Sequence, residues 1–343
     1  MQRAGFGSVR FLTVKFPRDK CAPIGQTRSH SMDGSATGRQ PEPPGKGALG
    51  PRGRGLFGRL LQGLRSAPAP QQEAVAVAIA SGKGGTGKSF LSTSLAVLLH
   101  RRGLRVALVD CDFGLACDHL LLGVKPALTL QQLLAGQATL DQVLCTSPCG
   151  PRLLPGASGV RRMANMTDKE LLGFARELGA LAAREDVLLL DLGAGIAPAT
   201  VLTMLGAEWI VLVTQPEIAA LVDAYAVVKC VAQLNDRAKF LVVVNRVGTP
   251  GRGELAFQKL TEVARAHVGV QLHYLGEIAD DGSVTQHRLG QLPLVAMAPE
   301  APVSQELERL AGRLIELCGG LRQREVPAEH GIEARFKQHR LFL

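Results

Sequence analysis

Several things are missing from this 343-residue chain, and each absence removes a class of protein. Its seven cysteines are an odd number, scattered, with no C-x-x-C pair, so they outline neither a disulfide framework nor a four-thiolate metal site. The nearest pair, Cys145 and Cys149 in "CTSPC", is spaced too loosely for a zinc or cluster motif and reads as loop thiols. Scattered thiols suit a reducing cytoplasm. No long uninterrupted apolar run is present either. Gly193 to Thr214, with Glu208 its one charge, comes nearest to a membrane span, but Pro198, Gly206 and Glu208 divide it into a short helix and a buried strand. "VRFLTVKF" is too short and too charged for the core of a secretory signal. There is no internal repeat.

Net charge is missing from most of the chain as well. The formal charge of +9 sits entirely in residues 1–72, where twelve Lys/Arg face three Asp/Glu; residues 73–343 carry 27 of each sign. A neutral body argues against nucleic acid as its partner, whereas a basic arm suits an anionic membrane or an acidic protein. The arm is rich in Gly, Pro, Arg and Ser ("GRQPEPPGKGALGPRGRG") and has too few apolar residues to offset the entropy of ordering it, so it is expected to be largely disordered. Met32 offers an alternative start. Near 54–65, "RGLFGRLLQGLRS" places Leu56, Phe57, Leu60, Leu61 and Leu64 on one arc of a helical wheel and Arg54, Arg59 and Arg65 outside it. That pattern fits an amphipathic helix for an anionic membrane, a partner-binding helix or, given glycines that each cost about 1 kcal/mol against Ala, a plain linker. The final "ARFKQHRLFL" is a weaker membrane candidate.

What is present from residue 73 onward is an alternation of short apolar runs with longer helical stretches. Runs at 74–80, 105–110, 152–156, 187–191, 209–214 and 240–245 predict strands, with shorter ones near 273–276 and 293–295. Runs this continuous belong to strands covered on both faces, so the class is α/β: a mostly parallel, doubly wound sheet with helices on both sides. "SFLSTSLAVLLHRRG", with Leu91, Leu95, Leu98 and Leu99 at helical spacing, is the first covering helix, and "VSQELERLAGRLIELC" the last. The folded domain is read as 73–318, followed by a tail, 319–343.

Between the first strand and the first helix lies "SGKGGTGKS". Gly82, Gly87, Lys88 and Ser89 satisfy G-x-x-x-x-G-K-[ST] in the strand-to-helix context that a phosphate loop requires. Its glycines let backbone N–H groups curl around phosphate oxygens, the helix start adds its dipole, Lys88 neutralises β and γ charges, and Ser89 offers a hydroxyl to Mg²⁺. Asp191, ending "VLLLD", is placed as the carboxylate that holds the metal through water. Asp110 and Asp112 end another strand at the same sheet edge, and one of the pair is positioned to orient an attacking water.

The second lysine of the loop, Lys83, has no role in an ordinary phosphate loop. "GKGGTGKS" resembles the deviant Walker A motif of the MinD/ParA class of ATPases, in which such a lysine reaches across a nucleotide-sandwich homodimer to the partner's phosphates. "VALVDCDFGLACDHLLLGVKPALTLQQLLAGQATLDQVL", "RLLPGASGVRRMANM", "LLLDLGAGIAPATV", "VTQPEIAALVDAYAVVK" and "VVVNRV" extend the resemblance over about 74–300, and within the class it is strongest to the FlhG (FleN) group, which governs flagellar number and placement. The resemblance implies ATP and Mg²⁺ as ligands: Gly82, Lys83, Gly84, Gly85, Thr86, Gly87, Lys88, Ser89 and Phe90 around the phosphates, Asn245 on the adenine, and Ser89, Asp112 and Asp191 toward the metal. Lys83, Lys88 and Asp112 would carry the catalysis, Asp112 activating the water with Asp110 in support. It further implies slow hydrolysis stimulated by a regulatory protein, an ATP-linked homodimer, and a cytoplasmic protein that associates reversibly with the inner membrane. Two positions depart from the group: its usual Asn in "GLAN" is Cys117, and the Pro of its late "IP-x-D" segment is Ala279. The "DQA-x-x-LR" element of FlhG proteins is not seen. A division or partition ATPase, an iron–sulfur carrier ATPase of the Mrp type and a synthetase on the same fold are the alternatives.

Overall fold

A six-residue apolar run with no polar alternate residue needs cover on both faces, and that need organises the molecule. The computed structural model describes residues 70–157, 166–287 and 291–339. The amphipathic segment near 54–65 lies outside the described residues. In chain order the elements are β1 (Gln71–Glu73), β2 (Val75–Ala80), α1 (Lys88–Arg101), β3 (Val106–Cys111), α2 (Asp118–Leu121), α3 (Leu130–Leu134), α4 (Leu140–Val143), β4 (Cys145–Thr146), β5 (Arg152–Leu154), α5 (Asp168–Ala182), β6 (Val187–Leu192), α6 (Pro198–Gly206) and β7 (Trp209–Thr214). They continue with α7 (Ile218–Leu234), β8 (Lys239–Val247), α8 (Arg252–His267), β9 (Leu272–Ala279), α9 (Gly282–Gln286), α10 (Leu294–Met297), α11 (Pro302–Leu317), β10 (Arg324–Val326) and α12 (Ile332–His339).

Among the described residues, eight strands form one sheet in the order β4-β5-β3-β6-β2-β7-β8-β9, parallel throughout except for β4 against β5. The expected α/β class and mostly parallel sheet are therefore present. The period-two alternation of β2 sorts its side chains: Ala76, Ala78 and Ala80 enter one core with Leu188, Leu190 and Phe174, while Val75, Val77 and Ile79 enter the other with Leu91, Leu95 and Leu310. The chain lays β3 and β5 to one side of β2, returns to insert β6 beside it, and then adds β7, β8 and β9 on the other side. This reversal at β2 opens a crevice at the carboxyl ends of the strands, where such sheets place ligands. The register puts Ile79 of β2 beside Asp191 of β6, and Asp191 beside Asp110 of β3.

Two expectations need correction. Residues 293–295 are not a strand; Pro293 caps the single helical turn α10, Ala296 N–H donates to the Pro293 carbonyl (2.8 Å), and Val295 is buried while its own carbonyl accepts from the Arg101 guanidinium (2.8 Å). A short apolar run does not by itself distinguish a strand from a buried turn. The stretch after 318 is likewise built into the body rather than trailing from it. β10 pairs antiparallel with β1, and α12 packs on α5 and α6.

The fixing of α12 is polar at one end and apolar along its face. Buried Glu73 accepts from the Ile332 N–H at the helix start (2.7 Å) and pairs with Arg335 (3.5 Å), whose Nε donates to the Gly206 carbonyl (2.7 Å). Ile332 and Phe336, one turn apart, are both buried. Phe336 lies on Gly206, where an added Cβ would come within 2.1 Å of its ring, so only glycine admits this approach. Phe336 stacks edge-on against Phe174 (6.0 Å), which in turn meets Phe113 (5.7 Å). The apolar face that reads as a weak membrane helix in "ARFKQHRLFL" is thus already spent on the core over its described residues. No helix among the described residues is long and apolar enough to cross a membrane, and Gly193 to Thr214 resolves into α6 and β7.

Replacing Phe336 by Ala empties a fully buried ring site, for which losses of about 3–5 kcal/mol are usual. Urea unfolding of F336A should show a loss of that size. A change below about 1 kcal/mol, the range of an exposed position, would contradict the packing of α12 described here.

Candidate functional site

The loop between β2 and α1 takes its shape from glycines in positions that other residues cannot occupy. Gly85 and Gly87 have φ of 76° and 94°, in the left-handed region, and Gly87 is the residue that starts α1. A Cβ on Gly87 would sit 2.2 Å from the Asn245 side chain, and one on Gly82 would sit 2.2 Å from the Asp223 backbone of α7. The loop is therefore wedged between β8 and α7. Four hydrogen bonds hold it among the described residues: Asn245 Nδ2 donates to the Thr86 carbonyl (2.7 Å), Ser81 Oγ to the Lys83 carbonyl (2.7 Å), Gly195 N–H to the Ser81 carbonyl (2.8 Å) and Gln215 Nε2 to the Gly85 carbonyl (3.5 Å). Asn245 Oδ1 meanwhile accepts from the Arg246 N–H (2.9 Å), and Arg246 has a φ of 55°. Asn245, expected on the adenine, is thus a buttress of the phosphate loop in this structure.

The two lysines sit differently. Lys88 is 8% exposed at the first position of α1, whereas Lys83, Gly84 and Gly85 are exposed at the tip of the loop. Phe90, expected beside the phosphates, packs partly buried against the core around α1. Ser89 Oγ donates to Asp191 Oδ2 (2.6 Å) and Ser92 Oγ to Asp191 Oδ1 (2.8 Å), so both carboxylate oxygens of Asp191 are tied to α1. The Ser89–Asp191 pairing joins two residues that sequence reasoning assigned to one metal. Ser92 was missed; its signal is a second hydroxyl three residues after Ser89, on the same helix face.

Asp110 and Asp112 divide their duties. Asp110 is buried and braces the following turn, accepting from the Asp112 N–H (3.2 Å) and the Asp118 N–H (3.1 Å). Asp112 is partly exposed; its Oδ1 accepts from the Gly114 and Leu115 N–H groups (3.1 and 3.0 Å), and its Oδ2 makes no hydrogen bond among the described residues. A Cβ on Gly193 would lie 3.4 Å from Asp112 Oδ1, so this carboxylate faces the loop that follows Asp191. Asp118, which sequence reasoning did not single out, is 0% exposed, and neither of its carboxyl oxygens has a hydrogen-bond donor among the described residues.

Electrostatically the site is short of positive charge. Burial, then the nearby Asp191, pushes the Asp110 carboxyl above the usual range; the same two causes push Asp118 well above it. Burial raises Asp191 too, against the opposing hydrogen bonds from Ser89 and Ser92 and the charge of Lys88. Burial also raises the thiol of Cys117, opposed by a hydrogen bond with Ser89, which keeps it a neutral neighbour of the hydroxyl. No three His, Cys, Asp or Glu side chains among the described residues converge to hold a metal by themselves. An orphaned buried carboxyl beside a Ser–Asp pair nevertheless fits a divalent cation whose remaining ligands come from phosphate and water, the usual habit of Mg²⁺.

Comparison with known proteins agrees with this geometry. The model of the CobQ/CobB/MinD/ParA nucleotide binding domain matches residues 77–294. The flagellum site-determining protein YlxH of Helicobacter pylori is 33% identical over 266 residues, which cover 76% of this chain and 88% of that one. The antiactivator FleN of Pseudomonas aeruginosa is 33% identical over 238 residues, covering 69% and 85%. Among solved structures, the septum site-determining protein MinD of Pyrococcus horikoshii OT3, complexed with Mg-ADP, superposes with a TM-score of 0.59 at 29% identity, over 71% of this chain and 97% of that one.

Gly87→Ala strains a φ of 94° and drives a methyl group into Asn245. A fluorescent ATP analogue should bind this variant at least about tenfold more weakly than the parent, with far-UV circular dichroism unchanged. Equal affinity would show that the loop geometry does not govern nucleotide binding.

Proposed function

Because the chain belongs to the CobQ/CobB/MinD/ParA nucleotide-binding family, we propose that it is an ATP-hydrolysing, dimerising switch that positions a cellular machine, and that this machine is the flagellum. The observation that carries the reading is the unequal placement of two lysines on one loop, Lys88 buried at the start of α1 and Lys83 exposed at the tip. The names of the two flagellar relatives support the choice of machine. A division-site ATPase is the second reading, favoured by the likeness to MinD.

The residues divide the work as follows. Backbone N–H groups of residues 84–89 and the N-terminus of α1 receive the phosphates, and Lys88 neutralises them. Ser89 and Asp191 would hold the Mg²⁺, with Asp112 on the facing turn, and the ion would supply neutralising charge to the phosphates. Asp112 Oδ2, lacking an internal partner, accepts a hydrogen bond from the attacking water, and Asp110 fixes the turn that carries it. The products are ADP and phosphate. Lys83 approaches the phosphates of a second copy, which ties dimerisation to the triphosphate.

The surface around the loop supports a second copy as the partner. Leu115 is 77% and Ile218 80% exposed, and Ile196 and Val222 lie about half exposed. Ile196 and Val222 sit on segments that border the loop, next to Gly195 and Asp223; Ile218 opens the helix α7 that carries Asp223, and Leu115 lies on the turn held by Asp112. Large apolar side chains ringing a polar cleft are characteristic of a surface that another chain covers. The amphipathic segment near 54–65 would then supply reversible contact between a cytoplasmic dimer and the anionic inner membrane, two weak feet acting together.

Lys83→Ala should bind ATP as the parent does yet remain monomeric in light scattering, while Asp112→Ala should accumulate as an ATP-bound dimer. ATP-dependent dimerisation by K83A would remove Lys83 from the interface, and parental turnover by D112A would move the water-orienting role to Asp110. For the membrane contact, deletion of residues 1–70 should release the protein from anionic liposomes in a co-sedimentation assay with ATP, leaving basal hydrolysis unchanged. Equal sedimentation of both forms would eliminate the N-terminal foot.

A further inference from the structure

Asp118 is a buried carboxylate beside the site to which the foregoing reading gives no duty. It is wholly buried at the start of α2, and its backbone N–H is fixed on Asp110 Oδ2 (3.1 Å). Its side chain neither caps α2 nor receives a donor, since both oxygens lack a partner among the described residues. Its nearest titratable neighbours are Asp191, whose carboxyl lies within hydrogen-bonding reach of its own, Asp110 and the Cys117 thiol, none of them a cation. Burying an uncompensated carboxylate is strongly unfavourable, and a packing role would be filled better by a leucine.

We propose that Asp118 is a positioning residue for the divalent cation: acting through Asp191, its carboxylate raises the site's affinity for the metal that arrives with the nucleotide and so makes tight ATP binding depend on Mg²⁺. The inference rests on the nucleotide-site reading above. Asp191 already gives both its oxygens to Ser89 and Ser92 and is the strongest charge acting on Asp118, so a cation held by Ser89 and Asp191 would also be felt by the Asp118 carboxyl. Without the cation, the cluster of buried aspartates offers the phosphates no attraction. With it, the same carboxyls would anchor a positive charge beside the loop. The carboxylate of Asp118 thus discriminates ATP·Mg²⁺ from free ATP, a difference that Lys88 and the loop backbone cannot make, because they attract phosphate in either case.

The test is the binding of a fluorescent ATP analogue, titrated with Mg²⁺, to the parent, Asp118→Asn and Asp118→Leu. The Mg²⁺ concentration for half-maximal tight binding should rise by on the order of tenfold in both variants. Affinity for the metal-free analogue should stay equal or improve, and the melting temperature of nucleotide-free D118L should equal or exceed the parent's. An unchanged Mg²⁺ midpoint in either folded variant overturns the proposal, as does a variant that loses metal-free and Mg²⁺-dependent binding in equal measure with a lowered melting temperature, the pattern of a structural role. Should the parent fail to bind the analogue at any Mg²⁺ concentration, the nucleotide-site reading itself falls, and the two failures are distinct.

Discussion

The nucleotide end of this molecule depends on the parallel register of three adjacent strands. β2 sets Ile79 level with Asp191 of β6, and β6 sets Asp191 level with Asp110 of β3, so the loop that follows β2 opens directly beside two carboxylates from separate parts of the chain. A slip of one residue would turn Asp191 to the opposite face of the sheet and break its hydrogen bonds to Ser89 and Ser92. Such slips are excluded because both faces of these strands are buried. In β2, alanines on one side and β-branched residues on the other each have a separate core to fill. The chemistry at the edge is therefore positioned by packing well below it.

How much of this was legible in the sequence differs by the range of the interactions involved. The loop, α1, and the strands ending in Asp110 and Asp191 follow from local signals: glycine and lysine spacing, helical leucines, and apolar runs that stop at an acid. Features that rest on distant partners were not legible. β10 and α12 acquire their places from Glu73 and Gly206, which lie more than a hundred residues away in the chain, and Phe336 in isolation reads as the apolar face of a surface helix. Val295 misled for the opposite reason, since three apolar residues carry no period. Asp118 was overlooked because nothing in "LACDH" tells a buried carboxylate from a solvated one; only the fold reveals that it lacks a partner.

Asn245 shows how a family resemblance and a geometry can assign one residue two duties. The resemblance places it on the adenine, and the structure uses its amide to hold the Thr86 carbonyl and the backbone at Arg246. Through it, β8 supports the loop from the side opposite Asp191. The loop thus has firm contacts with β8, α7 and the segment after β6, while its tip, with Lys83, stays exposed. That division of rigidity suits a site that holds phosphate in a fixed cradle and presents one cation outward. The aromatic contacts from Phe113 through Phe174 to Phe336 add a packed connection from the turn beside Asp112 to α12, so the end of the described chain and that turn share one core.

On the proposed function, a nucleotide and Mg²⁺ occupy the cleft bounded by the 82–89 loop, the turn at 112–118 and the loop at 193–197. Hydrogen–deuterium exchange of the full-length protein, with and without ATP and Mg²⁺, tests it most directly. Slowed exchange concentrated in those three segments, and absent from β9 at the far edge of the sheet, is the predicted result. Unchanged exchange at 82–89 under saturating ATP and Mg²⁺, or protection confined to other segments, would contradict the account.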